Sequence, residues 1–137
     1  MADRTTFLAR LIGLYCLSAA AMMLLQREAM LAAVTALLGS GPLLLILGVV
    51  IVPAGLAMIL AHNVWSGGAL PAIVTAIGWL TLLKGLMFWI LPPQRIAQLY
   101  LQQLHYADLF YLYAGACLLL GVGLTWAGYQ RRAVSGA

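Results

Sequence analysis

Acid is nearly missing from this chain. Asp3, Glu28 and Asp108 are its only carboxylate side chains in 137 residues, and charged residues of both signs amount to 7%. A soluble domain carries about a quarter charged residues, so a wetted surface is hard to assemble from this sequence. Cysteine is as scarce: Cys16 and Cys117 stand alone, without CxxC spacing and without histidines at metal-ligand intervals, which removes the sequence case for a zinc site. Both read as reduced packing residues inside apolar runs. There is no carboxylate pair, no nucleophile with a partnered base and no glycine loop after a strand to cradle a phosphate. The chain reads as non-enzymatic, and no cofactor or metal is expected.

What the chain has instead is hydrocarbon. Hydrophobic residues make up 65% of it, and the mean hydropathy is +1.05. Four apolar runs, at 7–25, 43–61, 69–91 and 109–127, each approach the ~20 residues that a helix needs to cross ~30 Å of lipid. A membrane β-barrel would show alternating segments of ~10 residues. The sequence therefore predicts an all-α integral membrane protein, one domain over 1–137, with four transmembrane helices in a bundle. The stretch 30–38 is apolar but short and reads as a connecting or interfacial helix ending at "GSGP". Arg4 and Arg10 before an apolar core, with Ala19 and Ala21 beyond, resemble a signal peptide. The apolar run continues through Leu25, however, and a retained first helix is expected.

The few cations mark the ends of the runs. Arg4, Arg10, Arg131 and Arg132 flank the first and last spans, Arg27 and Arg95 lie in the first and third loops, and "HNVWSGG" in the second loop has no Lys or Arg. Such edge charges set membrane orientation rather than build the basic stripe that nucleic acid requires. Nucleic-acid binding is excluded, lipid is the expected medium, and both termini are predicted on the cytoplasmic side. After Pro92 and Pro93 end the third span, the segment "QRIAQLYLQQLHYADLFY" places Ile96, Leu99 and Leu104 to one side and Gln94, Arg95, Gln98 and Gln102 to the other. That pattern, with Tyr100, Tyr106, Tyr111 and Tyr113, predicts an amphipathic segment at the outer interface before the fourth helix.

Helices associate in lipid where small residues let backbones approach. Ala9, Gly13, Cys16 and Ala20 share one face of the first span, and Ala114, Cys117, Gly121, Thr125 and Gly128 share one face of the fourth. These stripes predict that the two spans pack together, through Gly13 and Gly121, with Cys16 and Cys117 at similar depth. Pro53 in the second span removes a backbone donor and is expected to kink it.

Lys84 is the one charge well inside a span. Either its stem carries the ammonium to the outer headgroups, or it faces the bundle and finds a partner. Asp108, at the outer start of the fourth helix, is the only acid placed to meet it, and the inward pair is the expectation taken forward. His62 and Asn63, with Trp65 as an interface anchor, are expected to cap the carbonyls ending the second span. His105 lies in the outer loop, near the opposite face from His62, so intramolecular bis-histidine haem ligation is disfavoured.

The residues His62-Asn63-x-Trp65, Gly78-Trp79, Lys84-Gly85 and Pro92-Pro93 resemble a segment of small four-span bacterial inner-membrane proteins of unassigned function. The likeness covers about a quarter of the chain. It implies a bacterial inner-membrane location and a shared role for His62, Asn63, Trp65 and Lys84, and it names no activity. The expected function is that of an accessory or scaffold subunit, or a homo-oligomer, dependent on a protein partner or on further copies of itself. The alternative is a small transporter or ion-conducting protein with Lys84 on its path.

Overall fold

In the computed structural model of the chain, the backbone is described over residues 2–135 and the side chains over 4–130. The side chains of Asp3, Arg131 and Arg132 lie outside the described residues. Six helices follow in order: α1 (Ala2–Leu25), α2 (Arg27–Gly39), α3 (Gly41–Ala61), α4 (Ala69–Ile90), α5 (Pro93–Ala97) and α6 (Phe110–Ser135), with a π-helical turn at Gln98–Gln103 running on from α5. No strand occurs among the described residues. Parts of α1 and α6 and the whole of α3 and α4 are long and apolar enough to cross a bilayer. The fold is therefore the expected all-α, four-span bundle.

Local chemistry sets the breaks. Pro42 occupies the first turn of α3, and Pro93 the first turn of α5, where a missing N–H costs no helical bond. Gly67 and Gly68 take φ of 93° and 112°, a region open to glycine and strained for other residues. They turn the chain from α3 into α4. Pro53 leaves α3 unbroken from Gly41 to Ala61, and its ring faces outward. The short connecting helix is longer than its apolar stretch: α2 begins at Arg27 because Arg27, Met30, Leu31, Val34, Leu37 and Leu38 turn one stripe toward the protein.

The spans form two antiparallel pairs, α1 with α6 and α3 with α4. In the first pair, a methyl built on Gly13 would come within 2.7 Å of the Thr125 backbone nitrogen, and one on Gly121 within 2.9 Å of the Leu17 nitrogen. The small-residue stripes thus meet. The same register sets Arg10 against Gly128 and puts Cys16 opposite Val122 and Cys117 opposite Ala21, an axial offset of about 7 Å. The two thiols are free.

The α3–α4 pair follows a rule the small-residue stripes do not contain. Here each glycine receives a larger residue from the other helix. Gly55 lies under Leu82, whose Cα would stand 2.7 Å from an added methyl; Gly85 lies under Val52, and Gly48 under Trp89. A glycine hole and a bulky knob bring backbones together as surely as two small residues do.

The two pairs touch mainly near the end that carries both termini, through Leu8, Ala9, Ile12, Leu70, Val74 and Leu124. At the other end α2 and α5 bridge them. Leu38, Leu44, Phe88 and Ile96 form one cluster there, and Met23, Phe110 and Ala114 form another. Most large apolar side chains on the spans, such as Leu45, Leu60, Leu83, Ile90, Leu112 and Leu119, point outward, as a lipid-facing surface requires.

Candidate functional site

Two polar constellations stand out, one at each end of α4. The first builds on the α3–α4 loop. His62 ends α3: its backbone N–H donates to Met58 O at 2.9 Å, while its ring is only 5% exposed and lies with Nδ1 3.4 Å from Thr5 Oγ1. Nε2 is buried with no protein partner. Asn63 Oδ1 accepts from the Trp65 indole at 3.1 Å and from the Trp79 indole at 3.5 Å. Thr75, 1% exposed, completes the clamp; its hydroxyl accepts from Val64 N at 3.1 Å and donates to Val64 O at 3.0 Å.

The expected side-chain capping is thus corrected. His62 caps α3 through its backbone N–H, while its ring is drawn to Thr5 on α1 and the Asn63 amide to two indoles. His62, Asn63, Trp65 and Trp79 still belong to one local structure. Its work is to hold a loop against α1 and α4. Beside it opens a cleft of about 480 Å³ lined by Arg4, Leu60, Ala61, His62, Asn63 and Val64. Thr75 was missed at the sequence level because a threonine in a helix carries no mark of the loop it will hold.

The second constellation surrounds Lys84. Its Nζ lies 5.8 Å from the centre of the Phe88 ring and 5.9 Å from that of Tyr100, and those two rings are 6.3 Å apart. Tyr106 and Tyr113 stack at 5.5 Å at the same end of the molecule.

The expected ion pair with Asp108 does not form. The only ion pair among the described residues joins Arg27 to Glu28 at 3.2 Å. Asp108 sits exposed in the turn just before α6, where a carboxylate is favoured by the positive end of the helix dipole. Lys84 finds rings instead, since Phe88 lies one turn toward the headgroups and the π-helical turn after α5 brings Tyr100 near it. Burial holds the Tyr100 and Tyr106 phenols above the usual tyrosine pKa; Tyr113 adds to the shift at Tyr100, and Cys117 and then Tyr113 add to it at Tyr106.

The interfacial segment keeps its polar face but loses its expected register. Ile96 is fully buried, Leu99 half-buried and Leu104 exposed, while Gln94, Arg95, Gln98 and Gln102 face out. The π-helical turn adds a residue to the turn and carries Leu104 off the face begun by Ile96. His105 then takes φ of 45°, and Tyr113 donates its hydroxyl to Leu104 O at 2.9 Å.

Arg10 has a role beyond an edge charge. Its guanidinium donates twice to Gly128 O, at 3.0 and 2.8 Å, and lies 4.3 Å over the Tyr129 ring. Compared with family models, curated proteins and solved structures, the chain matches none.

Proposed function

We propose that this chain is a non-enzymatic membrane protein that works by association, as an accessory or scaffold subunit or as a homo-oligomer, in a bacterial inner membrane. The supporting observation is where its polar side chains are spent. Arg10 bonds Gly128 O, Thr75 bonds Val64, Thr81 donates to Ile77 O at 2.7 Å, and Ser18 donates to Tyr15 O at 2.8 Å. These groups tie helices and loops to backbone. A solute path normally needs several polar groups turned to a shared lumen, and these are turned elsewhere.

Lys84 favours the second reading, a small transporter, because it is an intramembrane cation with no carboxylate beside it. Purification of the tagged full chain from native membranes, after mild crosslinking, separates the readings. A discrete adduct, with another protein or with a second copy, is the expected result. A chain recovered alone, which carries an ion or solute across liposomes and loses that flux in Lys84→Gln, would replace association with transport.

A further inference from the structure

The end of the molecule that carries the termini holds a buried titratable ring that association leaves unused. His62 is 5% exposed, and its ring ties the end of α3 to α1 through Nδ1, 3.4 Å from Thr5 Oγ1. Nε2 is shut away from solvent and has no hydrogen-bond partner. A neutral imidazole bears one such orphan nitrogen at modest cost. An imidazolium does not, because both nitrogens then carry N–H and one would sit buried, charged and without an acceptor.

No counter-charge is at hand among the described side chains. On α1, the charged residue beside Thr5 is Arg4, which lines the same cleft as His62 and adds repulsion to a charged ring. Arg10, further along α1, is held at Gly128 O. The last turn of α3 and residues 63–68 contain no charged residue, and Thr75 of α4 is spent on Val64. The ring also has somewhere to go. The cleft of about 480 Å³ opens beside it, and a 3.4 Å contact is longer than the usual hydrogen bond and weakly held.

We propose that His62 is a proton-operated latch. The neutral ring fastens the end of α3 to the start of α1. Protonation releases it: the charged ring swings into the cleft and water, and the start of α1 parts from the loop. The closed form excludes the proton, while the open form takes one up in the ordinary histidine range near ~6.5. One proton bound on opening favours the open form by up to about tenfold for each pH unit below that range. The two helix pairs touch at this same end, so release loosens their junction.

The experiment is hydrogen–deuterium exchange of the full chain in lipid nanodiscs at about pH 8 and about pH 5, with rates corrected for the intrinsic effect of pH. The amides of residues 59–64 should exchange roughly tenfold faster or more at the lower pH. Those in the middle of α4 should keep their protection, which separates local opening from unfolding. His62→Gln should remove the response. Asp3→Asn, which takes away the carboxylate nearest in sequence to this contact, should leave it intact. If His62→Gln does not fold, NMR of the wild-type chain with labelled histidines decides the matter. Protonation of the His62 ring, read against exposed His105, should then coincide with the loss of protection. Equal protection at both pH values, the same response in His62→Gln, its loss in Asp3→Asn, or ring protonation without faster exchange would overturn the proposal.

Discussion

At the scale of single residues, the instructive case is the lysine. A lone ammonium in an apolar helix announces itself in the sequence, but its partners do not. Asp108 looks like the natural counterion because it is the only acid within reach, and the structure instead places rings from α4 and the π-helical turn over Nζ. Lys84→Leu and Asp108→Asn should therefore act independently on thermal stability in detergent, their losses adding to within about 0.5 kcal/mol. Rescue of one by the other, on the order of 1 kcal/mol or more, would restore the ion pair. A second expectation concerns the phenols. Burial keeps Tyr100 and Tyr106 protonated in the fold beyond the usual range, whereas the unfolded chain releases those protons near pH 10. The folded state then binds more protons than the unfolded one, so stability falls as pH rises through about 10 and above. Melting curves from about pH 9 to about pH 11 should show this decline, reduced in the Tyr100→Phe, Tyr106→Phe double variant. A decline of the same slope in that variant would assign it to other groups.

At the scale of elements, the sequence is most legible where like meets like. Small residues on the first and last spans mark both sides of the α1–α6 contact, so either stripe points to the other. Gly121→Leu should cost roughly 1–3 kcal/mol by forcing Leu17 and its backbone away. Gly85→Leu should cost a similar amount against Val52, while Gly115→Leu, with open space around its position, should stay within about 0.5 kcal/mol. Detergent melting of the three variants checks the order; a Gly115 loss equal to the others would mean that α6 is packed on a face left open here. The α3–α4 contact was not legible, because Gly48, Gly55, Gly78 and Gly85 are matched by bulky partners such as Trp89 and Leu82, which form no pattern of their own. The interfacial segment was half legible for a related reason. Its polar face follows helical spacing, but the π-helical turn is a tertiary adjustment that shifts the phase by about a residue.

At the scale of the whole molecule, four spans follow from hydropathy and length alone, and their arrangement as two pairs follows from packing that hydropathy does not encode. The HNxW segment falls on the inter-pair end beside α1, and Lys84 on the opposite half of the same helix, so a run continuous in sequence serves two separate places. Edge arginines predict that both termini are cytoplasmic. A reporter fused after Ala137 that requires the periplasm should be inactive, and one that requires the cytoplasm should be active; the reverse pattern would invert the topology. The claim on which the functional reading rests is association. It is tested most directly by the mass of the particle that carries this chain out of native membranes in a lipid-preserving polymer, without crosslinking. The expected result is a discrete species heavier than one 14.7 kDa chain with its lipid, containing a second copy or one other protein in fixed ratio. A particle holding one copy of the chain and no other protein, at every expression level, would contradict it.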